Sequence, residues 1–149
     1  MGRLEDKIKQ YDCIAIDTNS FIYLMERNST FFNVVRELFN SIESGTVYAV
    51  SSILLMTEVL TKPLRERDKV LVNRYMAFIG TFPNLELKEV NNKIALKAAK
   101  LRAAYGLKTP DAIFIATAIQ EKAKLFVTND VRLQKVEGVE TLLLNDYLD

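Results

Sequence analysis

The chain has 149 residues, and we expect a single domain over residues 1–149 with a substantial core. Hydrophobic residues make up 49% and charged residues 26%, a composition that excludes a disordered chain. The 20 Lys and Arg residues against 19 Asp and Glu residues give a net charge of +1, which excludes a general attraction to polyanions. A nucleic-acid substrate would therefore need a local basic patch.

The residue types that are missing narrow the chemistry further. The sequence contains no histidine, which removes Ser-His-Asp and Cys-His catalysis, histidine acid-base chemistry and nearly every zinc site. The single cysteine, Cys13, lies in an apolar run, so we expect a buried thiol, and an internal disulfide is impossible. The apolar runs are far shorter than a membrane span and residues 1–10 are rich in charge, so we expect a cytoplasmic protein without membrane contact.

The first half of the chain alternates short apolar runs with amphipathic segments. Cys13–Ile16 is predicted to be a buried strand, and Asp17, Thr18 and Asn19 are capping residue types for the helix that follows. We then expect a helix over residues 29–44, ended by Gly45, and a strand at residues 47–50. The next helix is expected to be capped by Ser51 or Ser52 and to end after Thr61, at Pro63. A helix over residues 65–80 and a weak strand at residues 85–87 follow.

The second half contains the clearest helix start. Helical periodicity over residues 91–105 predicts a helix with Gly106 as its C-cap. Thr109, Pro110 and Asp111 then supply a capping hydroxyl, a proline at the first helical position and an acid in the first turn. The segment after them is apolar nearly all round, which predicts a buried central helix. A strand at residues 125–127, a short helix begun by residues 128–130 and a strand at residues 141–144 complete the pattern.

Strands that alternate with helices favour a parallel sheet between helical layers. We therefore predict an α/β fold of three layers, helix-sheet-helix, with a central parallel five-stranded sheet. In such a sheet, ligands bind beyond the carboxyl ends of the strands, near the point where the strand order reverses. Asp17 and Asp130 each follow a strand directly and belong at that edge. Asp111 joins them if its helix packs antiparallel to the fourth strand, although the path from Gly106 back to that edge does not follow from the sequence.

Four acidic residues are candidates for a metal site. Asp17, Asp111 and Asp130 each open a helix, and Glu58 lies early in one, on or near its inward face. Two carboxylates about 5 Å apart repel by roughly 3 kcal/mol at an effective dielectric constant of 20, and only protonation or a cation relieves such a cluster. Mg²⁺ and Mn²⁺ prefer carboxylate oxygens, so we predict a site for one of them. Taken singly, the aspartates are also explained as helix caps, and Glu58 as a surface residue or a partner of Lys62.

Four short motifs, in this order, carry a resemblance to a known family. They are Ile-Ala-Ile-Asp-Thr-Asn at residues 14–19, Thr-Glu-Val-Leu at 57–60, Thr-Pro-Asp-Ala-Ile-Phe-Ile-Ala-Thr-Ala at 109–118, and Val-Thr-Asn-Asp at 127–130. Over nearly its whole length the chain resembles PIN-domain proteins and is most similar to the single-domain toxins of VapC type. The resemblance implies a parallel five-stranded sheet and an acidic pocket that uses Mg²⁺ or Mn²⁺ to cleave RNA endonucleolytically.

The functional positions of the family carry over to this chain through those motifs. The metal and catalytic positions are Asp17, Glu58, Asp111 and Asp130, with Thr18, Asn19, Thr128 and Asn129 as supporting polar residues. Asp17 and Asp111 would be the principal metal ligands, while Asp130 and Glu58 would complete the shell or orient the attacking water. The resemblance also implies a homodimer and a cognate antitoxin protein that occludes the acidic pocket.

Several basic residues near predicted helix ends and loops are candidates for contact with the RNA backbone. They are Lys62, Arg65, Arg67, Lys108 and Arg132. A solvated charged surface is the simpler explanation for each of them. Phe21 and Tyr23 offer a surface for a partner if they are exposed, but core packing is the simpler expectation.

Three other functions fit parts of this pattern. A non-toxin PIN nuclease in RNA processing would use the same acids, and a PIN interaction module would bind an antitoxin and itself with slow or no catalysis. A phosphate-handling fold of receiver or phosphatase type is disfavoured, because such sites need an acidic pair at the end of the first strand. The residues two positions either side of Asp17 are Ala15 and Asn19, and neither is acidic.

Overall fold

Five parallel strands form one sheet in the computed structural model, which describes residues 2–148. The strands are β1 (Cys13–Ile16), β2 (Tyr48–Ser52), β3 (Leu85–Lys88), β4 (Leu125–Thr128) and β5 (Glu140–Leu143), in the spatial order β3-β2-β1-β4-β5. Ile14 pairs with Ala49 of β2 on one side and with Leu125 of β4 on the other. The strand order therefore reverses beside β1, and the carboxyl ends of β1 and β4 lie next to each other.

Helices fill the connections between the strands. Within residues 2–148 the α-helices are α1 (Gly2–Ile8), α2 (Thr18–Met25), α3 (Phe32–Glu43), α4 (Leu54–Arg65), α5 (Lys69–Thr81), α6 (Asn92–Tyr105) and α7 (Thr109–Gln120), and 3-10 helices cover Val131–Lys135 and Leu144–Tyr147. Right-handed crossovers require the helices after β3 to pack on the face opposite those between β1 and β2, because the chain returns across the sheet in the reverse direction. This architecture confirms the predicted helix-sheet-helix fold. None of the helices in the described part of the chain has both the length and the apolar character needed to span a bilayer.

The path of α4 differs from the predicted one. Ser51 and Ser52 belong to β2 rather than capping the helix, although the Ser52 hydroxyl still accepts a hydrogen bond from the amide of Leu54 at 3.1 Å. Pro63 lies inside α4 and does not end it, and the helix continues to Arg65. Pro63 is buried, so its packing offsets part of the stability that α4 loses because proline cannot donate a backbone hydrogen bond.

Helix starts account for the other differences. The helix expected from residue 65 begins at Lys69, because the carboxylate of Asp68 caps it by accepting from the amide of Leu71 at 3.1 Å. Thr109 is the first residue of α7 rather than its cap. The charge-rich start forms α1, an unpredicted helix whose Leu4 and Ile8 are buried where it packs on α3.

The core lies on both faces of β1 and β4. Helix α7 packs across the central strands and is buried along most of its length, as predicted. Phe21 is buried in an aromatic cluster, with ring centroids 5.3 Å from Phe39 and 6.2 Å from Phe78. Tyr23 is half-buried and stacks on an aromatic ring of the loop before α3. Cys13 is half-buried rather than fully buried, and desolvation raises the pKa of its thiol.

Candidate metal site at the carboxyl edge of the sheet

Asp17 leaves the end of β1 and lies against the end of β4. Its amide donates to the carbonyl oxygen of Val127 at 3.2 Å, and its carboxylate oxygen Oδ2 accepts a hydrogen bond from the hydroxyl of the buried Thr128. The other oxygen, Oδ1, is buried without any hydrogen-bond partner. Although Asp17 occupies the N-cap position of α2, its side chain makes no capping hydrogen bond. Helix capping by itself therefore does not explain the burial of this aspartate.

Burial raises the pKa of the Asp17 carboxyl from its usual value of 3.8 to about 7. The hydrogen bond from Thr128 and the nearby backbone amide of Asn19 oppose this rise because they favour the ionised form, while the negative charges of Asp111 and Asp130 add to it. A buried acceptor with an unused oxygen and acidic neighbours is the electrostatic situation that a cation relieves.

Asp111 reaches the same edge from the other side of the sheet, in the first turn of α7. It is half-buried, and burial raises the pKa of its carboxyl, as do the negative charges of Asp130 and Glu58. The positive charges of Arg132 and Lys108 act in the opposite direction. Helix α7 contacts both β1 and β4, so its start and Asp111 lie near the ends of these strands, at the edge expected from the sequence.

Asp130 is engaged by a basic neighbour. Arg132 donates from Nη2 to Oδ2 at 2.6 Å and from Nε to Oδ1 at 3.0 Å, and its backbone amide also donates to Oδ1 at 3.0 Å. The paired guanidinium holds the pKa of Asp130 below its usual range. Asp130 thus caps the 3-10 helix over Val131–Lys135 and also faces the other acids.

Glu58 is not on the inward face of α4, which corrects the expectation from its spacing. It is exposed, and the inward positions are taken by Leu55 and Val59. Its oxygen Oε1 accepts a hydrogen bond from the hydroxyl of Thr18 at 3.1 Å, which joins α4 to the start of α2. Glu58 therefore lies at the rim of the acidic site rather than inside it.

The supporting polar residues differ in their surroundings. Asn19 is exposed, whereas Asn129 connects three parts of the fold: its Nδ2 donates to the hydroxyl of Tyr23 at 3.4 Å and its Oδ1 accepts from the amide of Asn145 at 3.1 Å. Thr128 both donates to Asp17 and accepts from the amide of Asp130 at 3.2 Å. Sequence patterns do not reveal the contacts of Tyr23 and Asn145, since neither residue lies in one of the four motifs.

The donor set fits a hard divalent cation in its chemistry. All four candidate ligands are carboxylates, and the unpartnered Oδ1 of Asp17 is an acceptor for which such an ion would be a partner. As the side chains stand, no three acidic or cysteine side chains within residues 2–148 lie close enough together to enclose a metal ion. Asp130 is turned to Arg132 and Glu58 to Thr18, so binding would require both carboxylates to reorient.

The basic candidates fall into two groups. Arg132 and Lys108 act directly on the acids, since the charge of each lowers the pKa of both Asp111 and Asp130. The other three are exposed at the carboxyl end of α4 and just beyond it; they are Lys62, Arg65 and Arg67.

Replacing Thr128 by Val is expected to destabilise the protein by about 2 kcal/mol and to raise the pKa of Asp17 further. The change removes a donor to a buried carboxylate and an acceptor for the amide of Asp130. Urea unfolding in EDTA at pH 7 measures the loss. Thr117→Val is the matched control, because that buried hydroxyl bonds only within its own helix, to the carbonyl oxygen of Ile113 at 2.8 Å. Equal losses in the two variants would contradict the role given to Thr128.

Comparison with known proteins supports the family suggested by the motifs. The model of the PIN domain family matches residues 14–139. Over 91 residues the chain is 31% identical to the ATP-dependent helicase Lhr-Core of Saccharolobus solfataricus, a stretch covering 58% of this chain and 10% of the helicase. The chain thus spans about a tenth of that curated relative.

Solved structures share the fold at low sequence identity. A toxin-antitoxin complex from Klebsiella pneumoniae contains a chain with a TM-score of 0.67 and 18% identity, covering 88% of this chain and 97% of that one. VapBC-1 from nontypeable Haemophilus influenzae gives a TM-score of 0.68 at 17% identity, covering 89% and 98%. VapBC2 from Rickettsia felis gives 0.64 at 15% identity, covering 92% and 99%. With the family match, the four motifs and the five-stranded parallel sheet in agreement, this chain belongs to the PIN domain family.

Proposed function

We propose that this protein is an endoribonuclease that depends on Mg²⁺ or Mn²⁺ and acts as the toxin of a toxin-antitoxin pair. The observation that carries the proposal is Asp17, which has a buried and unpartnered oxygen at the carboxyl edge of a PIN fold and is acted on by the charges of Asp111 and Asp130. Glu58 lies at the rim of the same edge, where its charge acts on Asp111. A chain without histidine has few other ways to hydrolyse a phosphodiester, so carboxylates that hold a metal are the consistent chemistry.

Each residue at the edge has a defined task in this mechanism. The bound ion would lower the pKa of an attacking water and stabilise charge on the phosphate. Asp17 and Asp111 would hold it, and Asp130 and Glu58 would turn towards it or orient the water. Thr128 keeps the Asp17 carboxylate in one orientation through its hydrogen bond. Asp17 must lose its proton to bind a cation, so we expect binding to strengthen as the pH rises through about 7.

The proposed partners are an RNA substrate, a second copy of the chain and a cognate antitoxin that covers the acidic edge, in the cytoplasm. The fold match to toxin-antitoxin complexes supports the antitoxin and the dimer. A second candidate function is a PIN nuclease of RNA processing that is not a toxin. The similarity to a stretch of an ATP-dependent helicase favours it, because helicases act on nucleic acids.

The deciding experiment is cleavage of single-stranded and structured RNAs by purified protein with Mg²⁺, with Mn²⁺ and with EDTA. We expect cleavage with either metal and none with EDTA or with Asp17→Asn. Residual activity that is equal in wild type and Asp17→Asn would overturn the proposed site. A protein that binds a partner without cleaving any RNA would instead be an interaction module.

Replacing Arg132 by Gln is expected to tighten the binding of Mn²⁺ by about threefold. The guanidinium competes for both oxygens of Asp130 and adds a positive charge to the site, and glutamine does neither. Calorimetric titration of the protein with Mn²⁺ measures the change without any RNA. Arg65→Gln removes the same charge from the end of α4 and should leave the affinity unchanged. Unchanged or weaker binding in Arg132→Gln would contradict the competition.

A further inference from the structure

Helix α6 carries positive charge without any acidic residue. Between residues 90 and 110 the chain has several basic residues and no Asp or Glu. They are Lys93, Lys97, Lys100, Arg102 and Lys108. Basic and acidic residues are nearly balanced over the whole chain, so this segment is a local excess of the kind that a polyanion would need.

Three of these lysines lie on one flank of the helix. Lys93, Lys97 and Lys100 are spaced i, i+4 and i+7, which places them within about 60° around the axis and about 10 Å along it. The neighbouring face packs on α7 through Ile94, Ala98 and Leu101. Lys93 and Lys100 are exposed and Lys97 is half-buried.

The three charges are not neutralised by the protein itself. The ion pairs found within residues 2–148 are Lys7–Glu140, Lys9–Asp6, Lys88–Glu86, Lys88–Glu121 and Arg132–Asp130, and none of them uses an α6 lysine. A helix that needed charge only for solubility would gain stability from acidic partners one turn away, and α6 has none. Uncompensated lysines on one flank are instead suited to an anionic ligand.

The carboxyl end of α6 leads directly to the acidic site. Gly106 turns the chain in the left-handed conformation with φ of 69°, and Arg102 Nε fixes the turn by donating to the carbonyl oxygen of Leu107 at 3.1 Å. The next residue is Lys108, whose positive charge acts on Asp111 and Asp130. This fixed turn thus connects the helix that carries Lys93, Lys97 and Lys100 to Lys108, which lies near the acids.

We propose that the lysine flank of α6, defined by Lys93, Lys97 and Lys100, binds the phosphate backbone of single-stranded RNA and guides the strand to the acidic edge. This inference rests on the proposed ribonuclease function. The acids themselves repel a phosphate backbone, so the strand needs cationic contacts close to the point of cleavage. Lysines that contact phosphates position the strand without reading its bases, so the flank sets where the RNA lies and not which sequence is cut.

The test compares two triple variants that remove the same charge. One is Lys93→Gln, Lys97→Gln and Lys100→Gln on α6. The control is Lys122→Gln, Lys124→Gln and Lys135→Gln, three exposed lysines in the segments that lead into the amino ends of β4 and β5. Glutamine has nearly the helix propensity of lysine, so both variants should fold. Binding of a fluorescent single-stranded RNA is measured in EDTA, where no cleavage occurs, at several salt concentrations.

We expect the α6 variant to bind RNA about tenfold more weakly at low salt, with a slope of log K against log salt that is shallower by about 2. The control should stay within about twofold of wild type. In cleavage assays with metal, the α6 variant should show a raised KM and a nearly unchanged kcat. Equal weakening of RNA binding in both variants would overturn the inference. Unchanged RNA binding in the α6 variant would also overturn it, even if that variant had lost affinity for an acidic protein. Wild type that binds RNA in EDTA but never cleaves it would instead overturn the proposed function.

Discussion

Replacing Asp17 by Asn is expected to lower the rate of RNA cleavage by about 10³-fold or more and, at the same time, to stabilise the metal-free protein. The loss of activity follows from removing the central anionic ligand of the proposed metal site. The gain in stability has a separate cause. Above pH 7 the folded protein carries an ionised carboxylate with one buried and unpartnered oxygen, and asparagine has no charge to desolvate.

The size of the gain follows from the pKa. A pKa that rises from 3.8 in the unfolded chain to about 7 in the folded protein corresponds to about 4 kcal/mol lost at alkaline pH. The side-chain amide of the introduced asparagine would in turn be buried without a partner, which costs about 2 kcal/mol. We therefore expect Asp17→Asn to be more stable than wild type by about 2 kcal/mol at pH 8 in EDTA.

The pH dependence of the free energy of unfolding tests independently whether the Asp17 carboxylate destabilises the fold. The folded state binds the proton of Asp17 more tightly than the unfolded state does, so this residue favours folding below pH 4 and that contribution is lost as the pH rises through about 7. Urea unfolding of wild type in EDTA should show falling stability between pH 5 and pH 8, and Asp17→Asn should lack that component. Asp12→Asn, which replaces an exposed aspartate, is the control. Identical pH profiles for wild type and Asp17→Asn would contradict the burial of this charge.

Adding Mn²⁺ should make wild type more stable than Asp17→Asn. In the proposed site the ion would bind only the folded protein and would relieve the repulsion among the acids, so it should raise the melting temperature of wild type and leave that of Asp17→Asn unchanged. A melting temperature that rises equally in both proteins would place the ion somewhere other than this edge.

Replacing Phe21 by Ala is expected to lower the free energy of unfolding by about 4 kcal/mol. Its side chain is 1% exposed and packs edge-on against Phe39 and Phe78, so the substitution leaves a cavity between α2, α3 and α5. Urea unfolding measures the loss, and Leu96→Ala serves as the control because Leu96 is 59% exposed on α6. A loss below about 1 kcal/mol would mean that α2 does not depend on this packing.

Phe21→Ala also tests how α2 supports the site. The helix starts at Thr18, directly after Asp17, so looser packing of α2 should let the Asp17 carboxylate move. We expect weaker Mn²⁺ binding in Phe21→Ala at temperatures where the variant remains folded, while Phe21→Leu, which fills most of the cavity, should bind nearly as wild type does.

Strand positions and several helix ends were predictable because their signals are local. Apolar runs give the five strands within two residues, and Gly106 ends α6 because a left-handed residue is required there. Pro63 shows where local rules fail, since it is buried inside α4 and the helix continues past it to Arg65. Helix α1 was missed because its two core residues, Leu4 and Ile8, lie among charged neighbours in the sequence. They are recognisable as a buried face only once α1 is seen to pack against α3.

The location of the candidate residues was more predictable than the contacts among them. Asp17 and Asp130 follow strands, so their edge could be inferred, and the start of α7 brings Asp111 to the same edge. The exposure of Glu58 could not be inferred from spacing, because the face that α4 buries depends on which elements pack against it. No sequence pattern predicts that Arg132 donates hydrogen bonds to both carboxylate oxygens of Asp130, since that contact depends on side-chain rotamers.

The central position of β1 has a consequence for how the protein is made. Strand β1 pairs with β4, and Thr128 at the end of β4 lies 111 residues after Asp17, to which it donates a hydrogen bond. The acidic edge therefore forms only when a very long loop closes. A nascent chain that has not yet emerged past β4 contains Asp17 but lacks the neighbour that orients it. We therefore expect the growing polypeptide to be inert towards the RNA of its own ribosome, and the proposed nuclease activity to arise only after the late pairing of β1 with β4.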